Sequence, residues 1–213
     1  MLNLSAEEMR TTTRAVRKRL DLDRPVPLSL IKECLEIALQ APSGRNRPRC
    51  SFVVVVDAER RRKIAEVYRR FFDDFVSNPS QAHEWESPQQ ARFASSVVHL
   101  AEHLHEVPVH VIACVTGGRK SRTRGMTEIV PGSSLYPAVW SYMLAARLRG
   151  LGTCMTTGHL VHEKEAADIL GIPYDEVAQG CLIPTAYTIG TEFKRAHRDP
   201  VENYLHIDEW SIH

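Results

Sequence analysis

The sequence predicts an α+β fold, and three patterns carry that prediction. Residues 52–56 are a continuous apolar, β-branched run of the kind found in strands covered on both faces, and 108–115 reads as a second strand. Apolar residues recur at helical spacing over 29–40 and 59–75, so each of these stretches turns one face inward. Residues 135–149 are apolar nearly all round, which marks a buried helix. With 213 residues the chain is long enough for one sizeable core, and no repeat or linker divides it, so one domain over 1–213 is expected.

Each element can be argued in order. The run Thr11-Thr12-Thr13-Arg14-Ala15-Val16-Arg17-Lys18-Arg19-Leu20 is basic, and in a helix Arg14, Arg17 and Lys18 would share a face. Over 29–40, Leu30, Ile31, Cys34, Leu35, Ala38 and Leu39 face inward, until Pro42 and Gly44 stop the helix. The strand at 52–56 leads into the helix at 59–75, which carries Ile64, Ala65, Val67, Tyr68, Phe71 and Phe72. Ser77-Asn78-Pro79-Ser80 breaks the chain, and 81–106 is polar, rich in histidine and helical. The strand at 108–115 is followed by a basic loop over 117–125, then by the apolar helix. A helix at 164–170 and a strand at 181–189 complete the sheet.

Composition narrows the function classes. Lys+Arg (27) and Asp+Glu (26) balance, so no global positive field favours a nucleic acid. No apolar run is long enough to span a bilayer and no secretory segment opens the chain, so a cytoplasmic protein away from membranes is expected. Cys34, Cys50, Cys114, Cys154 and Cys181 are scattered and odd in number, which reads as reduced thiols. His99, His103 and His105 lie close together without an HExxH pattern, and His159 and His162 read as a turn, so no metal is expected. Ser43 lacks the G-x-S-x-G elbow, and no catalytic dyad stands out.

Two segments offer binding chemistry. Guanidiniums clustered over 14–19 can fork onto phosphate oxygens, although a solvated basic face would have the same composition. Pro42, Ser43, Gly44, Arg45 and Asn46 gather a hydroxyl, a guanidinium and an amide at one turn, which suits the edge of a flat polar heterocycle or is an ordinary helix stop.

Taken together and in this order, these segments resemble the FMN-dependent nitroreductase family. Thr13-Arg14-Ala15-Val16-Arg17 followed by Pro25-Val26-Pro27 is similar to its opening basic motif and turn. Ala41-Pro42-Ser43-Gly44-Arg45-Asn46 is similar to its Ala-Pro-Ser-x-x-Asn loop. Leu148-Arg149-Gly150-Leu151-Gly152-Thr153-Cys154-Met155-Thr156-Thr157-Gly158-His159 resembles its Gly-Leu-Gly helix end with the strand and turn against the flavin. Residues 193–200 resemble its basic tail, and 199–213 its C-terminal arm. The chain departs from the pattern where Pro48-Arg49-Cys50 stands for Gln-Pro-Trp, Thr13 for an arginine, Ala15 for a serine and Ala196 for a lysine.

The resemblance implies a mixed central sheet flanked by helices, in an intertwined homodimer whose apolar helix lies at its centre. It implies FMN as cofactor, NAD(P)H as electron donor and a small-molecule electron acceptor such as a nitroaromatic or quinone, reduced by a ping-pong mechanism. Arg14, Ala15 through its amide, Arg17 and Arg198 would hold the phosphate. Pro42, Ser43, Gly44 and Asn46 would come from the second subunit to the ring edge, while Thr156, Thr157 and Gly158 would lie against the ring, with Gly158 giving close approach. Tyr136 would stand near the flavin, although a tyrosine at a helix start more often packs in the core. Cys50 occupies the family's indole position and would face the flavin pocket, whereas Lys18 and Arg19 would point to solvent or to the partner. Two other readings stay open: a flavin-binding storage or sensing protein, and a dehalogenase-like or ene-reductase-like activity on the same scaffold.

Overall fold

The protein is described by a computed structural model over residues 1–44, 49–76, 87–117 and 129–210. In chain order it forms α1 (Ala6–Thr12), β1 (Leu20–Asp21), α2 (Leu28–Ala38), β2 (Cys50–Val55), α3 (Ala58–Val76) and α4 (Pro88–His103). There follow β3 (Val109–Thr116), α5 (Ile129–Leu148), β4 (Leu151–Thr153), α6 (Glu163–Leu170) and β5 (Val177–Thr188). The calls on Asn46, on the break at 77–80 and on the basic loop beyond Gly117 fall outside the described residues. Among the described residues, no helix is long and apolar enough to cross a membrane, and no group of three or more His, Cys, Asp or Glu is placed to hold a metal ion.

The strands run in the order β1-β5-β3-β2, with β4 also paired to β5. Every pairing between named strands is antiparallel. The one parallel element among the described residues is the isolated bridge from Ala15 to Thr153, so the expected mixed sheet is antiparallel within this chain.

β3 explains why the sheet has a core on each side. Its residues from Val109 to Val115 are all buried, so both of its faces are covered. Because side chains alternate, Val109, Val111, Ala113 and Val115 join Ile31, Cys34, Ala38, Leu135, Val139 and Tyr142 on the α2–α5 side. Ile112 and Cys114 point the other way, to Ile64, Tyr68, Leu100 and Ala167 on the α3–α4–α6 side. The result is three layers, with β2 as an open edge.

Two periodicity calls need correction. Leu39 was expected to face inward but is 47% exposed, because α2 ends at Ala38 and Leu39 lies past its last turn. The buried helix α5 starts earlier than expected, with Pro137 inside it. It is not covered all round, since Tyr136 and Trp140, one turn apart, are 45% and 41% exposed. With Leu28 and Ile37 of α2 they leave apolar surface on the outer layer.

Candidate functional site

The basic N-terminal segment is not helical. Ser5 and Glu8 form a reciprocal cap that starts α1. The hydroxyls of Thr11, Thr12 and Thr13 then bond back to the carbonyls four residues earlier, and the chain leaves the helix at Thr13 with extended backbone. From there it lies along β4: the Val16 amide donates to the Thr153 carbonyl at 2.9 Å, and Ala15 bridges Thr153. Gly152 permits this approach, since a Cβ there would sit 2.7 Å from Thr188 and 3.0 Å from Val16. The expected shared helical face of Arg14, Arg17 and Lys18 is therefore replaced by an extended edge, because pairing with β4 wins over helix continuation.

Extended backbone alternates, so while Val16 is buried, Ala15 is exposed and Arg14 and Arg17 are half-buried beside it. Arg17 donates through Nη1 to Ser96 Oγ at 3.3 Å and lies 5.1 Å from the Phe93 ring, both on α4. Lys18 Nζ donates to Ser95 Oγ at 2.7 Å. Arg19 turns the other way and donates to the carbonyls of Ile189 and Glu192, with its guanidinium 4.2 Å from the Phe193 ring. It anchors the chain after β5 and does not point to solvent as expected. Among the described residues no carboxylate pairs with Arg14, Arg17 or Lys18, and the Ala15 amide has no hydrogen-bond partner. A free amide beside uncompensated guanidiniums fits an oxyanion such as a phosphate.

The turn after β4 completes this side. Thr156 exchanges two backbone hydrogen bonds with Leu182 of β5, at 2.9 and 2.8 Å, while its Oγ1 lies 3.1 Å from the hydroxyl of buried Tyr68. Met155 and Thr157 are exposed on either side of it. Burial pushes the Cys154 thiol up, and the Arg17 guanidinium, which reaches it, pulls the other way. Gly158 is buried, and a Cβ there would meet Phe71 at 2.6 Å and Tyr68 at 2.8 Å. The close approach that Gly158 allows is thus to two rings of α3.

The other expected site residues are not brought to this place. Gly44 donates its amide to Ser134 Oγ at 3.0 Å, so Pro42, Ser43 and Gly44 sit at the N-terminal half of α5 on the α2–α5 layer. Arg17 and its α4 partners are on the opposite layer. Tyr136 is exposed, which removes the core-packing reading for it. Cys50 is half-buried and packs against the α2–α5 cluster, where burial pushes its thiol up. Arg198 is exposed and donates to the adjacent His197 carbonyl. One chain therefore carries the two groups of expected site residues on opposite faces of its sheet. Sequence reasoning missed Tyr68, Ser95 and Ser96, which sit in helical stretches with no motif of their own.

Comparison with known proteins identifies the family and the fold. The model of the Nitroreductase family matches residues 11–187. The fold is similar to that of oxidised iodotyrosine deiodinase bound to FMN and 3-iodo-L-tyrosine, at TM-score 0.72 and 19% identity, covering 96% of this chain and 99% of that one. A BluB-like flavoprotein from Clostridium difficile 630 gives TM-score 0.70 at 19% identity, over 97% and 100% of the two chains. A nitroreductase-like family protein from Bacillus cereus gives 0.69 at 17%, over 99% of each.

Proposed function

The chain belongs to the nitroreductase family, and from that premise we propose an FMN-dependent oxidoreductase that takes hydride from NAD(P)H and reduces a small acceptor, such as a nitroaromatic or quinone, in a ping-pong cycle. The observation that carries the reading is the extended edge at Arg14–Arg17, whose Ala15 amide and guanidiniums have no hydrogen-bonding backbone or carboxylate partner among the described residues. Arg14, the Ala15 amide and Arg17 would hold the phosphate, and Thr156 and Thr157 would line the ring. FMN supplies the hydride chemistry when bound, so the chain's own tasks are binding, orientation and electrostatic tuning. No side chain is required to act as a general acid.

The two half-sites on opposite faces support a homodimer in which Pro42, Ser43, Gly44 and Asn46 of one subunit meet the phosphate edge of the other. The apolar surface at Leu28, Ile37, Tyr136 and Trp140 suits that contact. So does the arm from Asp199 onward, where Tyr204, Leu205, Ile207 and Trp210 are 50–81% exposed. Covering a fully exposed apolar side chain is worth about 1.5–3 kcal/mol, and each of these partly exposed ones gains a fraction of that. Light scattering should report a dimer, and deletion of residues 200–213 should give aggregation or loss of flavin. A stable, flavin-loaded monomer would refute the shared site.

Purified protein should release FMN on heating, identified by chromatography, because one terminal phosphate suits the cluster and the sequence has no G-x-G-x-x-G turn after a strand. Released FAD, or a colourless protein, would overturn the reading. Rapid bleaching of the bound flavin by NADPH or NADH in stopped flow marks an enzyme, whereas persistent colour favours storage or sensing. Similarity to the deiodinase, at TM-score 0.72 over nearly both whole chains, favours a second reading in which the acceptor is a halogenated phenol. Halide release under NAD(P)H-free chemical reduction separates it from nitro reduction.

A further inference from the structure

We infer that Tyr68 is a positioning residue that aims the Thr156 hydroxyl, as a polarised donor, at the bound flavin; the inference rests on the flavin reading above. The geometry is a chain of constraints on one side chain. Both backbone hydrogen bonds of Thr156 go to Leu182, so β5 fixes its main chain. Its Oγ1 is 3.1 Å from the Tyr68 hydroxyl, and Tyr68 is only 3% exposed, so α3 fixes its rotamer. The same Tyr68 ring, with Phe71, fills the space that a Cβ on Gly158 would occupy and seats the turn two residues on. No other hydrogen bond of Tyr68 is formed among the described residues, so the phenol is committed to Thr156.

The order of donation follows from acidity. A phenol is a better donor than an aliphatic alcohol, so Tyr68 O–H donates and Thr156 accepts. Thr156 then keeps its own proton for a second acceptor, and a hydroxyl that accepts one hydrogen bond donates a stronger one. Thr156 is half-buried and the Arg17 guanidinium is near enough to act on the Tyr68 phenol, so the remaining proton has the open side beside Arg17 to point to. A donor on the ring edge stabilises the more electron-rich, reduced flavin over the oxidised one. Tyr68 therefore tunes the flavin without touching it.

The test uses FMN-loaded protein. Tyr68→Phe should bind oxidised FMN within about threefold of the parent, yet lose roughly tenfold in its preference for reduced over oxidised flavin. For a two-electron couple that is a midpoint potential lower by about 30 mV. Thr156→Val should shift it the same way, Thr156→Ser should leave it near the parent, and the Tyr68→Phe/Thr156→Val double variant should fall no further than Thr156→Val alone. A parent-like potential in Tyr68→Phe, with only a lower unfolding temperature, would make the tyrosine a mere anchor and overturn the inference. Additive shifts in the double variant would overturn it too. A parent that binds no FMN would overturn the flavin reading and this inference with it.

Discussion

Acidification from pH 7 to pH 4 should destabilise the fold by about 3 kcal/mol for each of two core histidines. His110 on β3 and His159 in the 3-10 turn Gly158–His162 are both fully buried. His110 Nε2 lies 2.8 Å from the Leu104 carbonyl, so that nitrogen carries the proton and donates. Among the described residues, His110 Nδ1 and both ring nitrogens of His159 have no hydrogen-bond partner. Burial pushes both down to about 4; for His110 the Leu104 carbonyl opposes this, and Arg61 and His159 reinforce it.

Unfolded, each ring takes its proton near pH 6.5, and folded, only near pH 4. Between those values the unfolded chain binds more protons, so stability falls as the pH falls through the window. His159→Leu removes one titrating group and leaves no hydrogen bond broken, so its urea-unfolding free energy should hold up at pH 7.5 and fall about one proton less steeply toward pH 4. Parallel curves for parent and variant would show that His159 is not held neutral in the core.

Arg17→Ala should weaken FMN binding by about 1.5–3 kcal/mol, the range for hydrogen bonds to charged groups, or roughly tenfold to hundredfold in dissociation constant. Arg17 follows the free Ala15 amide by two residues, and its hydrogen-bond partners among the described residues are the neutral Ser96 hydroxyl and Cys154 thiol, so its charge is available to a phosphate. Lys18→Ala should change FMN affinity little, because the ammonium is exposed and docked on Ser95. Ala15→Ser, which restores the family's hydroxyl, should tighten binding modestly. Fluorescence titration of the apoprotein reads all three. Parent-like binding by Arg17→Ala together with loss in Lys18→Ala would place the phosphate elsewhere.

Much of the scaffold was legible in the residues alone. The helices at 29–40 and 59–75 and the strands at 52–56 and 108–115 were set by repeating burial patterns, and these emerge as α2, α3, β2 and β3. The order of the basic motif, the Ala-Pro-Ser loop and the Gly-Leu-Gly turn carried the family. Periodicity reports only whether a residue faces inward, not what it meets there. The Arg14–Lys18 segment reads equally well as a helix face, and only the open edge of β4 draws it out.

The contacts that shape the site are distant in sequence. Arg17 and Ser96 are 79 residues apart, and Tyr68 and Thr156 are 88 apart. The burial of His159, the exposure of Tyr136 and the split of the expected site residues across the sheet have the same origin. Local sequence determined which segments become helix or strand, because that depends on neighbours a few residues away. The tertiary structure alone decided which polar groups are paired, stranded or left open to a ligand, because that depends on which layers pack together.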